Sequence, residues 1–339
     1  MGGQSDKILK IKAIALFSGG LDSILAAKVI QDLGIEVEGI TFETPFFSAE
    51  KAEAAAKAIG LSLTVINITD AHLRMLQAPR YGYGKNMNPC IDCHTLMLKT
   101  AGARMEETGA DFVFTGEVLG QRPMSQTKQS LHVVAKNSGY GDTILRPLSA
   151  RLLPESRPER EGKVDRTRLL AIQGRGRKIQ IDMARNYGIT DYSPPAGGCL
   201  LTDVNFSKRL RDLFNCQSDY TIRDIELLKH GRHFRIHGNG KIIVGRNQAD
   251  NAAIDELIQD GDTVLHMGDK PGPTVLVPYA HHKTEEPEPI LLHTAARLCA
   301  LYAGISSDHE AGIICTSGGT IRTMSVKPLA KEAAADLLI

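Results

Sequence analysis

The sequence lacks a charge excess of either sign: Lys plus Arg number 40 and Asp plus Glu 39, leaving a net charge of +1. The total therefore does not announce a strongly basic nucleic-acid binder, although a near-neutral total can hide a local basic patch. There is no apolar run of about 18 residues, which excludes a helical membrane span. The apolar stretch near the N-terminus is shorter than the roughly 7–15 residues of a signal-peptide core and runs into a glycine turn. A cytoplasmic protein without a membrane partner is expected. No internal repeat or low-complexity tract is present. With 42% hydrophobic and 23% charged residues, the chain is neither disordered nor collagen-like. Six cysteines in a small secreted domain would suggest three disulfides. In a 339-residue cytosolic chain they point instead to metal or redox chemistry.

What is present is alternation. At roughly 150 residues per domain the length predicts two domains. Over the first 115 residues, short apolar or alternating runs at 13–17, 35–42, 62–68 and 111–115 read as strands. Runs at 21–33, 49–59 and 94–108 read as helices, the first two closed by Gly34 and Gly60. Strand–helix alternation predicts an α/β fold with a doubly wound parallel sheet. Residues 77–92 form a long loop, of the kind that is often functional. Residues 151–178 mix many arginines and lysines, including Arg175, Arg177 and Lys178, with acidic residues. That stretch reads either as a solvated face or as a phosphate-contacting surface. After residues 216–222 the pattern changes to short strands and glycine turns, with a hairpin around 237–240, a polar crossing at 279–288, a helix at 289–303 and a strand pair at 312–326. The expected division is 1–203, a linker at 204–219, and a smaller α+β domain at 220–339.

Directly after the first strand comes Ser18-Gly19-Gly20-Leu21-Asp22-Ser23, leading into a helix. Two glycines let backbone approach an anion, and a helix start offers unpaired amides and a positive dipole end. Ser18 and Ser23 add hydroxyl donors. Asp22 repels phosphate unless it holds Mg²⁺ or orients the loop. The Lys of a Walker motif is missing. The hexapeptide resembles the signature of the PP-loop ATP pyrophosphatases. That resemblance implies a HUP-like fold, ATP binding, attack on the α-phosphate and release of pyrophosphate, with adenine near Ala15–Phe17 and Thr41–Phe42.

Cys90-Ile91-Asp92-Cys93 precedes a predicted helix, whose start favours thiolate. There is no second CxxC, so a closed zinc site would need further ligands. Cys199 follows a Pro-Pro-Ala-Gly-Gly approach. Three thiolates could hold a [4Fe–4S] cluster with one open iron, or one could carry a persulfide that another resolves. Cys216, Cys299 and Cys315 read as core residues. Downstream, Gly116, Glu117 and Gln121 leave a strand end where ligands bind in open α/β sheets. Gly116 allows close approach, and Glu117 and Gln121 can orient a nucleotide or metal.

CIDCHTLML, TGE-x-LGQ-xxx-SQT and Arg146-Pro147-Leu148, taken in order, resemble the catalytic domain of the ThiI family of tRNA 4-thiouridine synthases. The CxxC and later Gly-Cys are also similar to the MnmA 2-thiouridylase branch. The resemblance spans about residues 12–203. It implies ATP-dependent adenylation of a tRNA uridine and sulfur delivery from a cysteine desulfurase persulfide or sulfide, with Cys90, Cys93 and Cys199 as cluster ligands and Asp22 catalytic. Residues 220–330 resemble the NFACT-R RNA-binding module, and Arg232, Arg235, Lys241 and Arg246 crowd its first hairpin as candidate phosphate contacts. The expected function is an ATP-dependent RNA sulfurtransferase, with tRNA as the acceptor. The alternatives are an amide-forming synthetase of the same superfamily and an RNA-binding protein with a residual ATP site. His266, His281 and His282 have no ligand spacing and are given no metal role.

Overall fold

In the computed structural model, which describes residues 10–192, 199–236, 240–279 and 288–339, the first apolar run becomes strand β1, Lys12–Leu16. Its side chains alternate between faces. Ala13 and Ala15 join one apolar cluster and Ile14 joins another. β1 pairs in parallel with β2 (Glu36–Glu43) on one side and β4 (Phe112–Thr115) on the other. With β3 (Ser62–Asn67) and β5 (Ile144–Leu145), the order is β3-β2-β1-β4-β5. The chain reverses its winding between β1 and β4, the point where ligands enter open α/β sheets.

Helices cover both faces. Helix α1 (Leu21–Gln31) and α2 (Glu50–Ile59) pack on the Ala13/Ala15 side. Helix α4 (Cys90–Thr108) and α5 (Lys128–Ser138) pack on the Ile14 side. Gly34 and Gly60 lie at φ +79° and +66° just after α1 and α2, the left-handed geometry of a glycine stop. The sequence pattern left three of the longer helices of this unit unread, α5 among them. Helix α3 (Thr69–Gln77) follows β3, and the last, Lys178–Asn186, comes near the end of the unit. α4 also starts four residues earlier than the apolar period indicates, so Cys90 and Cys93 lie in its first turn. The stretch between α3 and α4 has no regular structure but is strapped down. Asp92 accepts from the amides of Arg80 and Tyr81 at 3.1 and 3.0 Å, and the Tyr83 hydroxyl donates to the Leu76 carbonyl at 2.6 Å.

The chain divides into units Met1–Thr202 and Asp203–Ile339. The segment read as a linker is a helix, Val204–Cys216, in the second unit. Asp203 caps it, accepting from the Phe206 amide at 2.7 Å, and Phe206, Leu210 and Leu213 are buried at helical spacing. Polar residues between those positions gave it a linker-like composition. The rest of the unit is a six-stranded sheet whose pairs are all antiparallel, with outer hairpins Arg232–Ile236/Gly240–Val244 and Ala311–Ser317/Thr320–Val326. Helix Pro289–Tyr302 lies on one face, burying Ala295, Ala296, Leu298 and Cys299. The hairpin turn at 237–239, the polar crossing at 280–287 with His281 and His282, and the approach to Cys199 at 193–198 lie outside the described residues. Cys299 and Cys315 are buried as expected of core residues, whereas Cys216 is only partly buried.

Candidate active site

The phosphate-type loop joins β1 to α1 at the winding reversal. Gly19 sits at φ +71°, and a Cβ there would lie 2.4 Å from the Lys51 carbonyl oxygen, so this glycine is fixed by packing against α2. Gly20 differs: its nearest atom would be Ser18 Oγ at 3.5 Å, leaving its outer side open. The first intrahelical bond runs from the Ile24 amide to the Gly20 carbonyl at 3.1 Å. The amides of Leu21, Asp22 and Ser23 therefore have no intrahelical acceptor and point out of the helix start. Ser23 Oγ donates to the Gly20 carbonyl at 2.8 Å and lies 3.4 Å from Ser18 Oγ. The Ser23 hydroxyl shapes the loop, and the Ser18 hydroxyl stands beside it. The Asp22 carboxylate accepts from Gln121 Nε2 at 2.7 Å through one oxygen. The other oxygen, Oδ1, is buried without a partner. Gln121 is itself held by Gln180, whose Nε2 donates to its Oε1 at 3.2 Å. Gln180 is fully buried, its own carbonyl oxygen has no partner, and sequence reading missed it. A buried acceptor lacking a donor is costly unless a ligand or cation completes it.

Gly116 does not serve the close approach to a ligand expected of it. A Cβ there would meet the backbone of Asp22 and Ser23 at 2.5–2.7 Å, so the glycine lets β4 close against the loop. Gly116→Ala should cost roughly 1–3 kcal/mol of stability by overpacking, measured by urea unfolding. Glu117 turns inward and does not face a nucleotide. Its Oε2 accepts from Arg146 Nε at 2.9 Å and from Thr115 Oγ1 at 3.1 Å, while Oε1 lies 3.1 Å from His94 Nδ1. Burial raises its pKa, but the charges of Arg146 and His94 and their hydrogen bonds outweigh this and hold it near about 2. Its folded pKa is below the unfolded one, about 4.3. The stabilisation is therefore complete above that value and is lost as pH falls through about 2. Glu117→Gln should remove that acid-limb loss, and Arg146→Met should cost about 3–5 kcal/mol by stranding the carboxylate. Urea midpoints from pH 7 downward check both. Phe42 is likewise turned away from a base, since its ring is packed in the core with Ile14 and Leu98.

The first turn of α4 brings Cys90 and Cys93 beside Cys199. Asn88 Nδ2 donates to Cys90 Sγ at 3.2 Å, and the segment after Cys199 is tied to the sheet edge by the Leu200 amide on the Phe46 carbonyl at 3.0 Å. Cys93 keeps some exposed surface. Even so, burial of its thiol, then the neighbouring Cys199 and Cys90 thiols, push its pKa far above the ordinary thiol range. Cys199 is pushed up to about 11, chiefly by burial. Three neighbouring thiols have the chemistry of a donor set for a cation. Among the described residues, however, no group of three or more His, Cys, Asp or Glu side chains is arranged as a metal site. His72 is a residue that sequence reading missed. It is fully buried between the Phe46 and Phe47 rings, its Nε2 is 3.6 Å from Cys93 Sγ, and burial lowers its pKa to about 4. It is therefore a neutral imidazole against a protonated thiol. His94, next to Cys93, bonds Glu117, and Gly116 touches Asp22 and Ser23, so thiols and loop meet on one tripeptide, Thr115–Glu117.

Known proteins align over the whole of this sheet. Residues 9–151 match the family described as thiamine biosynthesis protein (ThiI). This segment of the first unit is similar to ThiI. A probable tRNA sulfurtransferase of Caldanaerobacter subterraneus subsp. tengcongensis is 32% identical over 146 residues, 40% of this chain and 36% of that protein. A probable tRNA sulfurtransferase of Geobacillus kaustophilus is 31% identical over 141 residues, 40% of this chain and 34% of that protein. The chain thus spans no more than 36% of the length of these relatives. A solved 4-thiouridine synthetase–RNA complex with bound ATP is similar at 21% identity and a TM-score of 0.40, covering 64% of this chain and 52% of that one. Residues 231–337 match the NFACT protein RNA binding domain.

The ThiI match contains the loop, Cys90, Cys93, Glu117 and Gln121 and ends before Cys199. Arg175, Arg177 and Lys178 lie just ahead of the helix that carries Gln180 or at its start, so they sit on the loop's side of the unit. Arg175 and Lys178 are exposed, and Arg177 Nε is buried without a partner. Much of the charge-dense stretch before them is spent on ion pairs, Arg160 with Asp142, Arg166 with Glu159, and Lys163 with Asp111. In the NFACT-matched segment the candidate phosphate contacts are mostly occupied, which corrects the sequence reading. Arg235 grips Asp212 at 3.0 and 2.5 Å, Lys241 Nζ is 3.4 Å from the same carboxylate, and Arg246 grips Asp250 at 2.5 and 3.0 Å. Burial pulls Lys241 down to about 8. Arg232 stacks over Tyr302 with its guanidinium carbon 4.5 Å from the ring centre. Among the described residues no helix is long and apolar enough to cross a membrane.

Proposed function

We propose that the chain is an ATP-dependent sulfurtransferase that adenylates a uridine in tRNA and replaces its oxygen with sulfur. One observation chiefly supports this reading. The thiol-bearing turn hydrogen-bonds to, and the phosphate-type loop packs against, the same tripeptide at one sheet edge, within a segment that matches ThiI. An ammonia-using amide synthetase would employ the loop but leave three converging thiols without work.

In this scheme the amides of Leu21, Asp22 and Ser23 cradle the ATP phosphates at the positive end of α1. The uridine carbonyl oxygen attacks the α-phosphorus and pyrophosphate leaves. Asp22 Oδ1, buried and unpaired, fits a divalent cation. Asp22 would hold Mg²⁺, which neutralises charge on the phosphates. A sulfur nucleophile then adds to the adenylated carbon, and AMP departs with the former uridine oxygen. Cys90, Cys93 and Cys199 are the sulfur site. A [4Fe–4S] cluster held by these three thiols would offer an iron to sulfide. Without a cluster, one thiol takes a persulfide from a cysteine desulfurase, a second forms a disulfide with it as sulfur leaves, and an external thiol restores the pair. Neutral His72 holds Cys93 in a dry environment and keeps the proton on sulfur until a donor arrives.

The test is incubation of the full chain with ATP, Mg²⁺, a sulfide donor and unmodified tRNA, followed by nucleoside mass spectrometry. A thiolated uridine with stoichiometric AMP supports the reading, and ATP turnover without thionucleoside sinks it. Iron and acid-labile sulfide after anaerobic purification separate the two sulfur routes.

A further inference from the structure

Beside Arg146, the first unit contains an open cavity of about 670 Å³. That lies within the range of about 300–1,000 Å³ usual for small-molecule sites. Leu131, Ile144 and Leu153 form part of its apolar wall. Along one side runs α5 with Lys128, His132 and Lys136, four residues apart and hence on one helix face. All three are exposed, and among the described residues none of the three side chains has an ion pair or a hydrogen bond. Lys128 and Lys136 put two positive charges on this face, which only a nearby acid would offset. The three acids that line the cavity do not: Asp142 is held by Arg160 at 2.7 and 2.9 Å, Glu159 by Arg166 and Ser156, and Glu155 lies 3.8 Å from Arg166. Arg146 is spent on Glu117. The uncompensated charge beside this apolar cavity is therefore positive.

We propose that this cavity receives a base of single-stranded RNA while α5 carries the flanking phosphates. From Lys128 to Lys136 the helix rises about 12 Å. That is too far for one phosphate to bridge and suits successive phosphates of a strand. The aliphatic wall of Leu131, Ile144 and Leu153 accepts the face of a base by burying apolar area and does not read its edge. This inference rests on the proposed reading only in taking RNA as the acceptor, to which it gives a second foothold away from the loop.

The test uses the full chain, a fluorescein-labelled single-stranded RNA oligonucleotide and, separately, UMP. Lys128→Ala/Lys136→Ala changes two exposed positions. It should weaken oligonucleotide binding about 10-fold at low salt and flatten the slope of log K against log salt by about 1.4. Leu153→Trp, at a partly exposed position on the cavity wall, should weaken binding without changing the slope. Unchanged affinity and slope in a double variant that melts like the parent would overturn the proposal. UMP binding as tightly as the oligonucleotide, and lost equally in the variant, would also overturn it by making this a free-nucleotide site. If the oligonucleotide results hold while no thionucleoside forms, the thiolation reading fails and this one stands.

Discussion

Asp22→Asn is expected to lower ATP-dependent AMP formation by about 10²–10³-fold, the scale of losing one preorganised electrostatic group, while leaving the fold intact. The structure separates the two halves of this carboxylate. Oδ2 accepts from Gln121, a bond that an asparagine oxygen can keep, whereas Oδ1 is buried with no partner. The substitution therefore preserves the loop's scaffold and changes only the unpaired atom, from a charged acceptor to an amide donor. Such a donor cannot hold a cation. Pyrophosphate release across a Mg²⁺ titration, with a melting curve as control, reads the result. Turnover within about threefold of the parent, under half a log unit, would remove Asp22 from the chemistry and leave it as part of the loop's architecture. Gln180→Leu should show a weaker form of the same defect, since Gln180 reaches Asp22 only through Gln121.

Single alanine replacements of Cys90, Cys93 and Cys199 should each reduce thionucleoside formation below about 1% of the parent, as expected for groups acting as one unit. AMP and pyrophosphate should still appear. The two half-reactions come apart because the loop is anchored by Gly19 on α2 and by Gln121, contacts that involve no cysteine. Liquid chromatography of digested tRNA beside a pyrophosphate assay makes the comparison. Full thiolation by the Cys199 variant would show that the CxxC pair suffices. Full activity of all three variants would return the chain to the amide-forming class.

The sheet and the loop were readable because their signals are local. A buried strand needs a short apolar run, and a phosphate-type turn needs glycines and hydroxyls at fixed offsets from it. Cys90 and Cys93 carried such a signal too. The supporting residues did not. His72 is one histidine in a polar helix, and only the folded chain sets it between two phenylalanines against Cys93. Gln180 lies 59 positions from the residue it holds. The basic hairpin misled for the same reason, since the Asp212 that neutralises Arg235 and Lys241 lies in a helix read as a linker. Glycine was misread in one respect. Gly116 is small to admit the protein's own backbone, and a sequence does not distinguish that from admitting a ligand.

The segment between α3 and α4 has a consequence for affinity. It is irregular, but Asp92, lying within the CxxC turn itself, fastens it by two backbone amides, and Asn137 donates to the Tyr81 hydroxyl from α5 at 2.8 Å. Such a segment loses little conformational entropy when a substrate arrives, because its freedom was already given up in folding. The thiols are thus presented to an incoming nucleotide in advance. Substitutions that loosen this strap should weaken binding through disorder in the free protein and leave the contacts made in the complex unaltered.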